Sequence, residues 1–117
     1  MTVERMDPAG HTTCTLPLSH PSLPLSLHNS HHKLHGGLHA LLVDVVGTLA
    51  LLARDGSRGG VSVDISCQYV ESCEVTDTLR CEGRVLKLGA RLGYTEVMLY
   101  RQSDGKLVAA GKHIKAM

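Results

Sequence analysis

An α+β fold follows from three features of the sequence: one long apolar helix, four alternating strands after it, and a switch of hydrophobic period between them. The chain has 117 residues, which is one domain with a single modest core. An antiparallel sheet curling around a central helix is the expected architecture.

The helix is the stretch "GGLHALLVDVVGTLALLA", opened by Gly36-Gly37. Leu38, Leu41, Leu42, Val45, Leu49 and Leu52 recur at helical spacing, and Val43, Val46 and Ala50 make it apolar nearly all round. A helix of this kind is expected to be wrapped by other structure. The run from Leu38 to Ala53 is short for a bilayer span and contains Asp44, so no membrane insertion is expected. "ARDGSRGG" ends the helix with Gly56, Gly59 and Gly60.

From Val61 the period is two. Val61, Val63, Ile65, Cys67 and Tyr69 alternate with Ser62, Asp64, Ser66 and Gln68, predicting a half-buried strand. Leu79–Leu88 and Tyr94–Arg101 alternate similarly, and "QSDGK" marks a hairpin turn before the final strand, Leu107–Ile114. Residues 1–27 differ in kind. They are rich in Pro, Ser, Leu and His, carry prolines at 8, 17, 21 and 24, and read as a disordered arm ahead of a domain at 28–117.

Lys and Arg number 12 against 11 acidic residues, so composition gives no reason to expect nucleic acid as a partner. From Arg80 onward the local balance is +5, and Lys87, Arg91, Lys112 and Lys115 are candidates to meet a small polyanion. Cys14, Cys67, Cys73 and Cys81 form no CxxC pair and read as reduced packing thiols of an intracellular protein. His28, His31, His32, His35 and His39 are dense enough to consider a metal, but no acid or Cys lies close by, and none is assigned.

Asp44 is the residue that composition does not explain. An unpaired buried carboxylate costs several kcal/mol. It could cap backbone, pair with an Arg or sit on a surface between copies. The free N–H groups at the start of the helix, approachable past Gly36 and Gly37, suit a developing oxyanion. An oxyanion site at one end and a carboxylate two turns along could together serve acyl transfer to water.

The segments "LHGGLHALLVDVVGTLALL", "GGVSVDISCQYV" and "GKLVAAGKHIKAM" strongly resemble the hotdog-fold acyl-CoA thioesterases, from about residue 29 to the C-terminus. The resemblance implies a hotdog fold, hydrolysis of fatty acyl-CoA to fatty acid and CoA, no metal or organic cofactor, and a cytoplasmic or mitochondrial homodimer or homotetramer. It also implies roles. Asn29 orients the thioester, His35 holds Asn29 and its loop, and the Gly36 N–H polarises the carbonyl. Asp44 is base or nucleophile, and Ser62 partners the attacking water. Asp44 and Ser62 would come from the subunit opposite His35 and Gly36. Such enzymes carry strands before the Asn-to-HGG loop, and here the Pro-rich arm leaves those strands apparently missing or replaced. A catalytically impaired acyl-CoA-binding module, or a truncated product, is therefore the alternative reading.

Overall fold

The computed structural model describes residues 1–18 and 36–117. In chain order the elements are β1 (Thr2–Asp7), β2 (His11–Pro17), α1 (Gly36–Arg54), β3 (Val61–Tyr69), β4 (Thr78–Leu88), β5 (Leu92–Arg101) and β6 (Leu107–Ala116). The six strands form one antiparallel sheet ordered β1-β2-β4-β5-β6-β3, with α1 packed on one face. This is the hotdog arrangement the sequence predicts, with two strands added.

Those two strands correct the expected disordered arm. Thr12, Cys14 and Leu16 alternate with exposed or half-buried neighbours and face the core, so β2 follows the same period-two rule as the later strands. The prolines do not break it. Pro17 ends β2, and Pro8 sits in the turn Asp7-Pro8-Ala9-Gly10. That turn is closed by the Gly10 N–H donating to Asp7 O at 2.8 Å and by the Ala9 N–H donating to Asp7 Oδ1 at 2.8 Å. Asp, Pro and Gly at these positions are a turn signature, and Gly10 adopts φ 93°, which other residues resist. β2 then pairs with β4 from His11↔Arg84 to Pro17↔Thr78, occupying the place thought vacant. The rest of the supposed arm lies outside the described residues.

The core lies between α1 and the middle of the sheet. Leu38, Leu42, Val43 and Val46 meet Cys14, Leu16, Leu79, Cys81, Val97, Leu99 and Val108, and Leu51 and Ala50 form a second cluster with Val85. Fully burying a side chain the size of Leu or Val is worth about 1.5–3 kcal/mol. Cys14, Cys73 and Cys81 are buried, Cys67 is half-buried, and all four are free thiols. Burial pushes the Cys81 thiol up to about 12, with Cys14 opposite it adding to the rise.

Two expectations about exposure are overturned. The helix is not wrapped: Leu41 is exposed, and Val45, Leu49 and Leu52 are only half-buried. It is long and apolar enough, by length and composition alone, to cross a bilayer, but here it lies along the sheet as the core helix. Likewise β3 is an edge strand that α1 meets near Tyr69 but leaves largely exposed; Val61 is 73% exposed and Val63 62%. Alternation reports which residues share a face, not whether anything covers that face. The "QSDGK" turn holds as read, with Gly105 at φ 73° and its N–H donating to Arg101 O at 2.9 Å.

Candidate active site

Asp44 sits two turns into α1 with its side chain 40% exposed. Beneath it, on β6, His113 is fully buried, and its Nε2 lies 3.7 Å from Asp44 Oδ1. The same Nε2 is 2.7 Å from Ser62 Oγ on β3. Three elements thus deliver a carboxylate, an imidazole and a hydroxyl to one point. The pairing is built by register: His113 stands opposite Thr95 on one side and Ile65 on the other, and Ser62 stands opposite Lys115.

The approach of helix to sheet here depends on Gly47. A Cβ at that position would lie 2.7 Å from Thr95 Oγ1 and 3.3 Å from His113 Nδ1. Thr95 is occupied in turn, its hydroxyl donating to His113 O at 3.0 Å. Burial pushes the His113 pKa below its ordinary 6.5, with the Asp44 carboxylate pulling the other way and Lys115 adding to the fall. The imidazole is therefore neutral at pH 7, able to accept at one nitrogen and donate from the other.

Gly36 begins the helix, and no acidic residue lies in its first turn. Its carbonyl accepts a hydrogen bond from the Tyr69 hydroxyl at 3.1 Å, and the Tyr69 ring packs against it and edge-on to His39. Eight residues separate Gly36 from Asp44, about 12 Å of helix rise. One thioester carbon cannot touch both groups of the same chain. A concave surface of about 440 Å³, lined by Arg5, His11, Arg80, Arg84, Glu96 and Tyr100, includes none of Asp44, Ser62 and His113.

A profile of the Thioesterase superfamily matches residues 31–108. The chain belongs to that superfamily. Among Thioesterase superfamily relatives, acyl-coenzyme A thioesterase 13 of Homo sapiens is 40% identical over 87 residues, 74% of this chain and 62% of that protein. Its Mus musculus counterpart is 38% identical over 82 residues, 70% of this chain and 59% of that protein. The chain thus spans about three fifths of the length of these curated relatives. Thioesterase superfamily member 2 of zebra fish superposes with a TM-score of 0.86 at 30% identity, covering 97% of this chain and 78% of that one. The Mus musculus structure gives 0.85 at 30%, covering 98% and 80%.

Of the residues singled out by the thioesterase resemblance, the structure brings Asp44 and Ser62 together around His113 and sets Gly36 at the helix start. Asn29 and His35 lie outside the described residues, as do His28, His31 and His32. His113 was missed. In "GKHIKAM" it is one histidine on an alternating strand, and only its inward phase, shared with Gly111 and Lys115, hints at the helix above. Lys115 corrects an expectation: it is 6% exposed, so it is no surface contact for a polyanion.

Proposed function

We propose that the protein hydrolyses acyl-CoA thioesters in active sites shared between two copies of the chain. The observation that carries this is the convergence of Asp44, His113 and Ser62 on the open flank of an apolar helix, in a member of the Thioesterase superfamily. Identity to acyl-coenzyme A thioesterase 13 supports the acyl-CoA class.

In this reading water lies against Asp44, held by the Ser62 hydroxyl, whose own orientation is set by His113. The Asp44 carboxylate takes a proton as the water oxygen attacks the thioester carbon. The Gly36 N–H of the second copy stabilises the oxyanion, the C–S bond breaks, and the CoA thiolate leaves and is protonated. Asn29 orients the thioester, and His35 holds Asn29 and its loop. A positioned base contributes about 10²–10⁴ in rate and one oxyanion donor about 10²–10³. A thioester is activated toward attack, so these two can suffice without a metal.

Two copies are required because Gly36 and Asp44 of one chain stand too far apart along the helix. The surface to join them is the β3 edge, an edge of the sheet among the described residues, with exposed Val61, Val63 and Ile65. The binding-module alternative rested on absent N-terminal strands, and β1 and β2 remove that motive.

A thiol-release assay over saturated acyl-CoAs tests the proposal. Wild type should turn over and Asp44→Asn should lose about 10²-fold or more in kcat. Equal rates for the two proteins overturn it.

A further inference from the structure

The chemistry above leaves one buried charge without a task. Lys115 lies two residues beyond His113 on β6, and its side chain is 94% withdrawn from solvent beneath the helix. Taking an ammonium out of water costs several kcal/mol unless a partner offsets it. Among the described residues no carboxylate lies within ion-pair distance. Its hydrogen bond goes instead to a neutral group, Thr48 Oγ1, at 3.0 Å. Thr48 in turn donates to the backbone carbonyl of Asp44 at 2.8 Å. The ammonium therefore stands at one end of a two-bond chain whose other end is the peptide group of the carboxylate residue.

We propose that Lys115 is a positioning residue for hydrolysis: acting through Thr48, it fixes the helical turn that carries Asp44 against His113 and Ser62. This rests on Asp44 being the base. A mid-helix threonine that bonds the carbonyl four residues back tends to loosen or bend its helix. An ammonium on the same hydroxyl removes that freedom, because the oxygen then accepts from Lys115 while its hydrogen is committed to Asp44 O, and charge-assisted bonds are the stronger kind. His113 and Lys115 share one face of β6, so a single strand holds the Asp44 turn at two points: the imidazole beside its carboxylate, and the ammonium, through the Thr48 hydroxyl, at its carbonyl. A reacting group displaced by 1 Å can lose about 10²-fold in rate. A rigid grip on this turn therefore acts on kcat.

The test uses the full chain, dodecanoyl-CoA as substrate, and four variants. Thr48→Val keeps the shape and removes the hydroxyl; Thr48→Ser keeps the hydroxyl; Lys115→Met keeps the length and removes the charge; Asp44→Asn is the reference. Thr48→Val and Lys115→Met should each lower kcat about tenfold while KM stays within about twofold, and Thr48→Ser should retain the wild-type kcat. A Thr48→Ser enzyme as impaired as Thr48→Val, or wild-type kcat in Thr48→Val, overturns the proposal; should Lys115→Met fail to fold, the Thr48 pair decides alone. Loss of activity in Asp44→Asn with normal Thr48→Val sinks the positioning role and leaves the hydrolase reading intact. An Asp44→Asn enzyme as fast as wild type sinks both.

Discussion

Ser62 Oγ and His113 Nε2 are 2.7 Å apart, bridging the edge strand β3 and its neighbour β6 directly beneath Asp44. A serine on an exposed strand is thereby tied to a buried imidazole, which gives its hydroxyl one orientation instead of several.

Removing either partner should show in kcat. Ser62→Ala and His113→Ala are each expected to lower kcat by about 10–10²-fold, within the range of a single positioned group. The double variant should fall less than the product of the two, because the groups act as a unit. Steady-state kinetics on the three proteins reads the coupling, and strictly multiplicative losses contradict it.

Gly47→Ala should destabilise the fold and the site together. The added Cβ would meet Thr95 Oγ1 at 2.7 Å and His113 Nδ1 at 3.3 Å, between two strands and a helix that cannot yield independently. Overpacking of this kind costs about 1–3 kcal/mol, or a fall in Tm of roughly 4–20 °C for a domain of this size. Calorimetry measures it, and an unchanged Tm would show that the helix shifts freely.

Acid stability carries a signature of His113. Burial holds its folded pKa below the ordinary 6.5, so in the window beneath 6.5 the unfolded chain binds more protons than the folded one. The stability associated with the neutral imidazole is present above 6.5 and is lost as pH falls toward the folded pKa. His113→Gln should lack this component. Urea midpoints from pH 8 to pH 5 should therefore fall less steeply in the variant than in wild type, and parallel slopes would refute the assignment.

Sharing of the site between copies has a direct complementation test. Gly36→Pro removes the N–H at a position where helices accept proline, and Asp44→Asn removes the base. Each alone should be nearly inactive. Unfolded together and refolded, they should recover about a quarter of wild-type activity, since half the pairs are mixed and each mixed pair has one intact site of two. No recovery would mean that both groups serve the same chain's site.

Much of this was readable beforehand. The helix and the last four strands follow from period and from the Asp104-Gly105 turn, because local spacing determines local structure. Pro8 and Pro17 obscure the hairpin of β1 and β2 in the sequence, because proline breaks regular structure as well as making turns; Asp7-Pro8-Ala9-Gly10 is a turn, and Thr12, Cys14 and Leu16 keep a strand's phase. The site was half legible. Asp44 announced itself by its charge among aliphatic neighbours, whereas His113 and Lys115 become intelligible only when strand register sets them under Asp44 and Thr48. No spacing along the chain encodes that proximity.

The two margins of the sheet differ, and the difference limits growth. Both carry a register irregularity, between Ser62 and Asp64 in β3 and between Val3 and Arg5 in β1, but β3 is nine residues long and lined with valine, isoleucine and tyrosine, whereas β1 is six residues and studded with Glu4, Arg5 and Asp7. If two β3 margins join, each is used up, and only the short, charged strands are left at the outer ends. A fibre would need a second adhesive margin, and the hairpin at the start of the chain denies it one.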